Sequence, residues 1–77
     1  MNKIIAVDFD GTIVTHAYPA IGREVPNAIR VLTKLQEQGT QLILWTMRSG
    51  DKLQEAVDFC ASKGITFWGI NRNPAQS

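Results

Sequence analysis

The stretch "IIAVDFDGTI", from Ile4 to Ile13, decides how this chain of 77 residues folds. Four apolar residues, most of them β-branched, come directly before two carboxylates, and a Gly-Thr pair follows. A short continuous apolar run of this kind indicates a strand buried on both faces, as in a parallel sheet. Asp8 and Asp10 therefore stand at the end of a buried strand, although the whole chain has only seven acidic residues.

An Asp-Gly pair between apolar segments is also a strong signal for a tight hairpin turn, with Gly11 at a positive φ. That interpretation makes Asp10 a turn former and Asp8 a solvated side chain. It explains neither the position of Asp8 nor the apolar character of both faces of the preceding strand. We therefore favour a chemical role for both carboxylates, whose side chains leave an extended strand on the same side.

The rest of the chain alternates helices with strands. An irregular loop or short hairpin is expected over residues 11–24. The patterns then predict a helix over 25–39 with Pro26 in its first turn, a strand over 40–45, a helix over 49–64 capped by Ser49, and a strand over 65–70. This order predicts right-handed crossovers and a single α/β domain, residues 1–77, with a parallel sheet.

Polar side chains follow two strands of the predicted sheet. Asp8 and Asp10 end the first strand, and Thr46 and Arg48 follow the second. Because functional sites of parallel α/β sheets lie at the carboxyl ends of the strands, these residues are expected at one edge. Arg48 is either a bidentate clamp for a phosphate or carboxylate, or a solvated loop residue. Two loop residues are either surface side chains or substrate contacts: His16 and Tyr18.

Composition narrows the class of protein. The net charge is +1 and apolar residues make up 44% of the chain, which is typical of a globular domain without a nucleic-acid or membrane-surface partner. A single cysteine, Cys60, excludes an intrachain disulfide. The N-terminal apolar run is too short for a signal peptide or a membrane span, so we expect a soluble cytoplasmic protein.

The segment "DFDGT", from Asp8 to Thr12, resembles the first motif of the haloacid dehalogenase-like (HAD) hydrolase superfamily. Thr46, within "LILWTMR", stands where that family has the Thr or Ser of its second motif. With "YPAIG" and "LILWTMRSG", the chain looks like a group of small, uncapped bacterial HAD phosphatases. The resemblance covers essentially the whole chain. It implies a three-layer Rossmann-like fold with a parallel sheet, of which this chain carries the β-α-β-α-β part.

The resemblance also implies roles for single residues. Asp8 would attack phosphorus to form an aspartyl-phosphate and would ligate Mg²⁺. Asp10 would act as general acid and then as general base, and its backbone carbonyl would be a second metal ligand. Thr46 would donate a hydrogen bond to the phosphoryl group. From the residues themselves, we expect Gly11 to let backbone N–H groups approach an anion, and Thr12 to brace the loop. The implied activity is Mg²⁺-dependent hydrolysis of a phosphoester.

Two later motifs of the family, a lysine and an acidic pair at a strand end, have no counterpart here. The acids and lysines after Thr46 all belong to the second predicted helix: Asp51, Lys52, Glu55, Asp58 and Lys63. We therefore expect an N-terminal portion of a longer protein, or a homodimer that covers the bare face of the sheet. We also expect this chain alone to be inactive or very weak in hydrolysis unless another segment supplies the missing acids. The alternative function is a non-catalytic HAD-like module that binds phosphate, metal or a protein. A phosphoacceptor domain of the response-regulator type would carry its acceptor on a later strand, so "DFDGT" argues against it.

Overall fold

Strands and helices alternate along the computed structural model, which describes residues 3–76. The elements are β1 (Ile4–Asp8), α1 (Ala28–Glu37), β2 (Gln41–Trp45), α2 (Gly50–Ser62) and β3 (Gly69–Ile70). The three strands form one parallel sheet in the order β1-β2-β3. The predicted α/β class, with a Rossmann-like β-α-β-α-β order, is confirmed.

The register of the sheet brings two strand ends together. Asp8 lies opposite Trp45 in the pairing of β1 with β2, and Leu44 lies opposite Ile70 in the pairing of β2 with β3. The chain therefore leaves β1 and β2 at the same edge. Residues that follow these two strands start their loops side by side.

The core lies on one face of the sheet. Val7, Leu42 and Leu44 are buried there together with side chains of both helices, including Leu32, Ala56 and Cys60. Paired residues of neighbouring strands share a face, so α1 and α2 cover the same side. Residues 3–76 thus supply two layers of the three that the family resemblance implies.

The opposite face of the sheet is more open. Ile4 and Ala6 are exposed, and Trp45 is 50% exposed. Near β3 this face is covered by the segment that follows the strand. A Cβ atom at Gly69 would lie 2.6 Å from the carbonyl oxygen of Arg72, which explains the glycine there. Within residues 3–76, β1 has a sheet partner on only one of its edges.

Helix α1 begins later than the sequence pattern predicts. Asn27 adopts the left-handed conformation, with φ of 70°, so regular helix starts at Ala28 and Pro26 precedes it. The Asn27 side chain does not cap the helix; its oxygen accepts hydrogen bonds from Arg30 instead. No helix within the described range is long and apolar enough to cross a membrane.

Strand β3 is shorter than the predicted strand over 65–70. The N–H of Thr66 donates to the side-chain oxygen of Gln36 on α1, at 2.8 Å. This bond ties the segment before β3 to a helix, whereas the N–H of Trp68 reaches the carbonyl of Leu42 on β2, at 2.7 Å. Sheet pairing therefore begins only near Trp68.

Candidate functional site

A tight turn after β1 sets the positions of the two carboxylates. The carbonyl oxygen of Phe9 accepts hydrogen bonds from the N–H groups of Thr12, Ile13 and Val14, at 3.2, 2.9 and 3.3 Å. Phe9 and Ile13 are fully buried, so the turn is anchored in the core. The chain consequently turns immediately after the strand, and Asp10 lies within this turn, two residues after Asp8.

Residues 14–24 form the second wall of the site. Val14 and Glu24 make an antiparallel bridge, and the N–H of Thr15 donates to the carbonyl of Arg23 at 2.7 Å, so the expected hairpin-like closure is present. The bridge turns the loop back over the first turn. The His16 ring then lies against the backbone of Gly11, whose φ is +87°.

An open cavity of about 470 Å³ lies at this edge of the sheet. It is lined by Asp8, Asp10, His16, Tyr18, Thr46, Met47 and Arg48. Of the residues selected from the sequence, the structure thus brings four together here: Asp8, Asp10, Thr46 and Arg48. His16 and Tyr18 also line the cavity, while Gly11 lies beneath the His16 ring.

Asp10 and Arg48 form a bidentate ion pair. Nε of Arg48 donates to Oδ2 of Asp10 at 2.8 Å, and Nη2 donates to Oδ1 at 2.8 Å. The Arg48 side chain is 1% exposed and the Asp10 side chain 18%. The pair therefore joins the turn after β1 to the turn after β2 with little access for water.

The remaining donors of Arg48 are also engaged. Nη2 donates to the carbonyl of Ala20 at 2.9 Å, and Nη1 donates to the carbonyls of Pro19 and Lys52 at 3.4 and 3.3 Å. A guanidinium has five N–H groups, and these contacts with Asp10 and the three carbonyls match that number. Neither expectation for Arg48 describes this arrangement: it is not a solvated loop residue, and its donors are committed to the protein rather than to a substrate.

The Asp10–Arg48 ion pair shifts the pKa values of both of its residues. The hydrogen bonds from Arg48 hold the pKa of Asp10 below its ordinary value of 3.8, against the opposing effect of burial. The same bonds raise the pKa of Arg48. Near neutral pH both partners are therefore charged. Among residues 3–76 the carboxylate of Asp8 has no ion-pair partner, which leaves it available to a cation or an electrophile.

Thr46 presents a hydroxyl group to the cavity. Its oxygen accepts a hydrogen bond from the N–H of Arg48 at 3.1 Å, so the hydroxyl proton can be donated elsewhere. Its own N–H donates to Oδ1 of Asn71 at 2.8 Å. This geometry suits donation to an anionic oxygen between the two strand ends.

Asn71 is a positioning residue that the sequence patterns do not single out, because it stands in the polar segment "NRNPAQS" that follows the last predicted strand. It follows β3 with φ of 55°, a left-handed conformation that Asn tolerates. Its N–H donates to the carbonyl of Leu44 at 2.8 Å, while its side chain holds Thr46. The available signal was an asparagine directly after a predicted strand.

Thr12 lies away from the two carboxylates. It lines a separate apolar groove of about 300 Å³ beside β1 and α1, together with Val7, Val25 and Val31 among others. The structure therefore does not bring its hydroxyl into the cavity that holds Asp8. Its contribution to the turn is the backbone hydrogen bond to Phe9.

Four of the later lysines and acids have partners outside the cavity: Lys52, Glu55, Asp58 and Lys63. Lys52 pairs with Glu55 at 3.5 Å, and Lys63 pairs with Glu24 at 2.9 Å. Asp58 accepts a hydrogen bond from Gln54. Within residues 3–76, no group of three or more His, Cys, Asp and Glu side chains converges as a ready metal site.

Fold and site together define an α/β protein with paired carboxylates and a hydroxyl donor at the carboxyl edge of a parallel sheet. No family model and no curated protein matches this chain. A solved structure of a conserved protein from Bacteroides thetaiotaomicron is similar to it, with 45% sequence identity and a TM-score of 0.88. The similarity covers 96% of this chain and 64% of that chain, so this chain spans less than two thirds of the solved protein.

Proposed function

We propose that this chain carries the nucleophile and phosphate-binding part of a Mg²⁺-dependent phosphohydrolase of the HAD superfamily. The observation that supports it most is the common cavity of Asp8, Asp10 and Thr46. A carboxylate without an ion-pair partner among residues 3–76, a second carboxylate and a hydroxyl donor lie at adjoining strand ends. Phosphoryl transfer needs a nucleophile, a proton carrier and donors for the phosphoryl oxygens, which are these three groups.

The reaction proceeds in two displacements at phosphorus. In the first, an oxygen of Asp8 bonds to phosphorus while the bond to the leaving oxygen breaks, and Asp10 gives that oxygen a proton. In the second, Asp10 takes a proton from water, the water oxygen bonds to phosphorus, and the Asp8–phosphorus bond breaks. Inorganic phosphate leaves, Asp8 is again a carboxylate, and Asp10 again carries the proton with which it began the first displacement.

The two displacements need different protonation states of Asp10. Its low pKa means that the free site holds it as a carboxylate, the form needed for the second displacement. For the first displacement it must carry a proton. The negative charge of a bound phosphate favours that proton, because like charges at short distance raise a carboxyl pKa.

Asp8 and Asp10, which line the cavity, offer the oxygen donors that Mg²⁺ prefers. The Asp8 carboxylate and the backbone carbonyl of Asp10 would hold the ion, and water and phosphate oxygens would complete its coordination. Mg²⁺ commonly keeps several waters and uses only one or two carboxylates. When bound, it would reduce the repulsion between the Asp8 carboxylate and the phosphate. Because no third acid converges in the described range, we propose that hydrolysis is weak unless another segment or subunit adds one.

The test measures Mg²⁺-dependent release of phenol from aryl phosphates by the wild-type chain, Asp8→Asn and the matched control Asp58→Asn. Asp58 is exposed on α2, away from the cavity. Asp8→Asn should abolish turnover and Asp58→Asn should preserve it. Mass spectrometry of acid-quenched chain should show an added phosphoryl group in the wild type. Turnover that persists in Asp8→Asn would contradict the covalent mechanism.

The second candidate function is a non-catalytic module that binds phosphate or metal. It is favoured by the lack of three converging acids in the part of the chain that the structure describes, and by the commitment of Arg48 to Asp10. Chemical-shift changes at Thr46 and Asp8 on addition of Mg²⁺ and phosphate, without hydrolysis of any aryl phosphate, would support this candidate over the first. We also propose a cytoplasmic location, which the single buried thiol of Cys60 suits.

A further inference from the structure

Arg48 links three separate parts of the candidate site. It holds the carboxylate of Asp10 after β1, the carbonyls of Pro19 and Ala20 in the loop over the cavity, and the carbonyl of Lys52 in α2. Its own backbone N–H also donates to the hydroxyl oxygen of Thr46. A displacement of the Arg48 side chain would therefore disturb most of the segments that line the cavity.

The guanidinium is enclosed by two aromatic rings as well as by acceptors. Its central carbon lies 5.0 Å from the centroid of the Phe9 ring and 5.1 Å from that of Tyr18. Phe9 is fully buried, whereas Tyr18 is 60% exposed at the cavity. Arg48 thus supports a ring that an incoming molecule meets, while it stays 1% exposed itself.

Only arginine satisfies this set of partners. A lysine has three donors on a single nitrogen and cannot reach two carboxylate oxygens and three carbonyls in a planar fork. The two parallel hydrogen bonds also fix the rotation of the Asp10 carboxyl group. Each of its oxygens accepts one bond from Arg48, so each keeps acceptor capacity, and the side chain remains 18% exposed.

We propose that Arg48 is a positioning residue: it holds the Asp10 carboxyl group in the orientation that delivers a proton to the leaving oxygen, and it fixes the Tyr18–Ala20 loop as a wall for the leaving group. This inference rests on the proposed phosphohydrolase function, because it takes the acid–base role of Asp10 from it. Arg48 does not contact the substrate and acts through Asp10 and the loop.

Leaving-group chemistry separates this role from a purely structural one. Dinitrophenolate leaves without a proton, whereas phenol leaves with one, so a misplaced general acid slows phenyl phosphate far more than dinitrophenyl phosphate. General acid catalysis contributes roughly 100- to 10,000-fold when it is needed. A merely destabilised chain would lose activity on both substrates by the same factor.

The experiment compares the wild-type chain with Arg48→Lys, using Arg30→Lys as the matched control. Arg30 is exposed on α1, where its side chain contacts Asn27. For Arg48→Lys, kcat on phenyl phosphate should fall at least about tenfold and kcat on dinitrophenyl phosphate less than about threefold. KM for both aryl phosphates should rise, because the Tyr18 wall loosens. In an Asp10→Asn background, Arg48→Lys should have no further effect on the leaving-group ratio.

A second measurement needs neither turnover nor a variant. The Nε–H of Arg48 in ¹⁵N-labelled wild-type chain should exchange with water more slowly than that of the exposed Arg30. Equal exchange at the two sites would overturn the proposal, and so would an equal loss of kcat on the two substrates in Arg48→Lys. Failure of the proposed function has a different signature: no Mg²⁺-dependent turnover in the wild type, or undiminished turnover in Asp8→Asn. Absence of wild-type turnover overturns the acid-positioning role along with it.

Discussion

Asp10→Asn should destabilise the fold strongly, although it preserves the size of the side chain. The change removes the negative charge that Arg48 faces and replaces one acceptor by an NH₂ group pointing at a donor. Removal of one partner from a buried ion pair costs about 3–5 kcal/mol, since the other charge is left uncompensated. The Arg48 side chain is 1% exposed but that of Asp10 is 18%, so we expect the lower end of that range, about 3 kcal/mol.

This loss is large for so short a chain. At about 0.05–0.15 kcal/mol per residue, 77 residues give a free energy of unfolding of roughly 4–12 kcal/mol. Urea unfolding followed by the fluorescence of Trp45 and Trp68 measures the difference directly. The matched control is Asp58→Asn on the exposed face of α2, which should change stability by less than about 0.5 kcal/mol.

The difference between wild type and Asp10→Asn should depend on pH. The pKa of Asp10 in the folded chain lies below its ordinary value of 3.8. Its ionised form therefore stabilises the fold fully above that value, and the contribution disappears as pH falls through the lower folded-state pKa. The two chains should converge in stability in acid. A difference below about 1 kcal/mol near neutral pH, or one that persists unchanged in acid, would refute the reasoning.

Three further outcomes follow from the geometry. Gly11→Ala should lower the free energy of unfolding in urea by about 2 kcal/mol, because of the positive φ and the clash of the new Cβ with the His16 ring. Adding His16→Ala should restore part of this stability. An unchanged stability of Gly11→Ala would contradict the argument. Burial raises the pKa of the Cys60 thiol to about 11. Iodoacetamide should therefore label Cys60 slowly in the folded chain near about pH 8 and rapidly in urea. Equal labelling rates of the folded and unfolded chain would contradict this. Asn71→Ala should lower the free energy of unfolding by about 1–2 kcal/mol, because it removes the hydrogen bond to Thr46 and places alanine in a left-handed backbone conformation. Asn71→Gly should lose less stability, because glycine accepts that φ. Equal losses in the two variants would contradict the backbone part of the argument.

The order of elements and the meeting of two strand ends could be predicted from the sequence because they depend on local signals. Apolar runs, a glycine near the end of each helix and the strand-helix alternation determine which ends share an edge. Element boundaries were less predictable. The start of α1 depends on a left-handed Asn27, and the start of β3 depends on a hydrogen bond from Thr66 to Gln36, 30 positions away.

The environment of Arg48 was beyond the reach of sequence patterns. Its partner Asp10 lies 38 positions away, and its other acceptors are backbone carbonyls, which every residue has. A pattern can show that an arginine follows a strand, but it cannot show whether the fold closes around it. For the same reason the direction of the Thr12 side chain could not be inferred from the motif in which it stands.

The Arg48–Asp10 pair also constrains which substitutions this sequence can accept during evolution. Loss of either charge alone leaves the other buried and unmatched, whereas simultaneous replacement of both by uncharged groups is far less costly. Related sequences should consequently keep both residues or change both, with few that carry only one. An alignment of relatives would show this as correlated variation between two columns far apart in the chain.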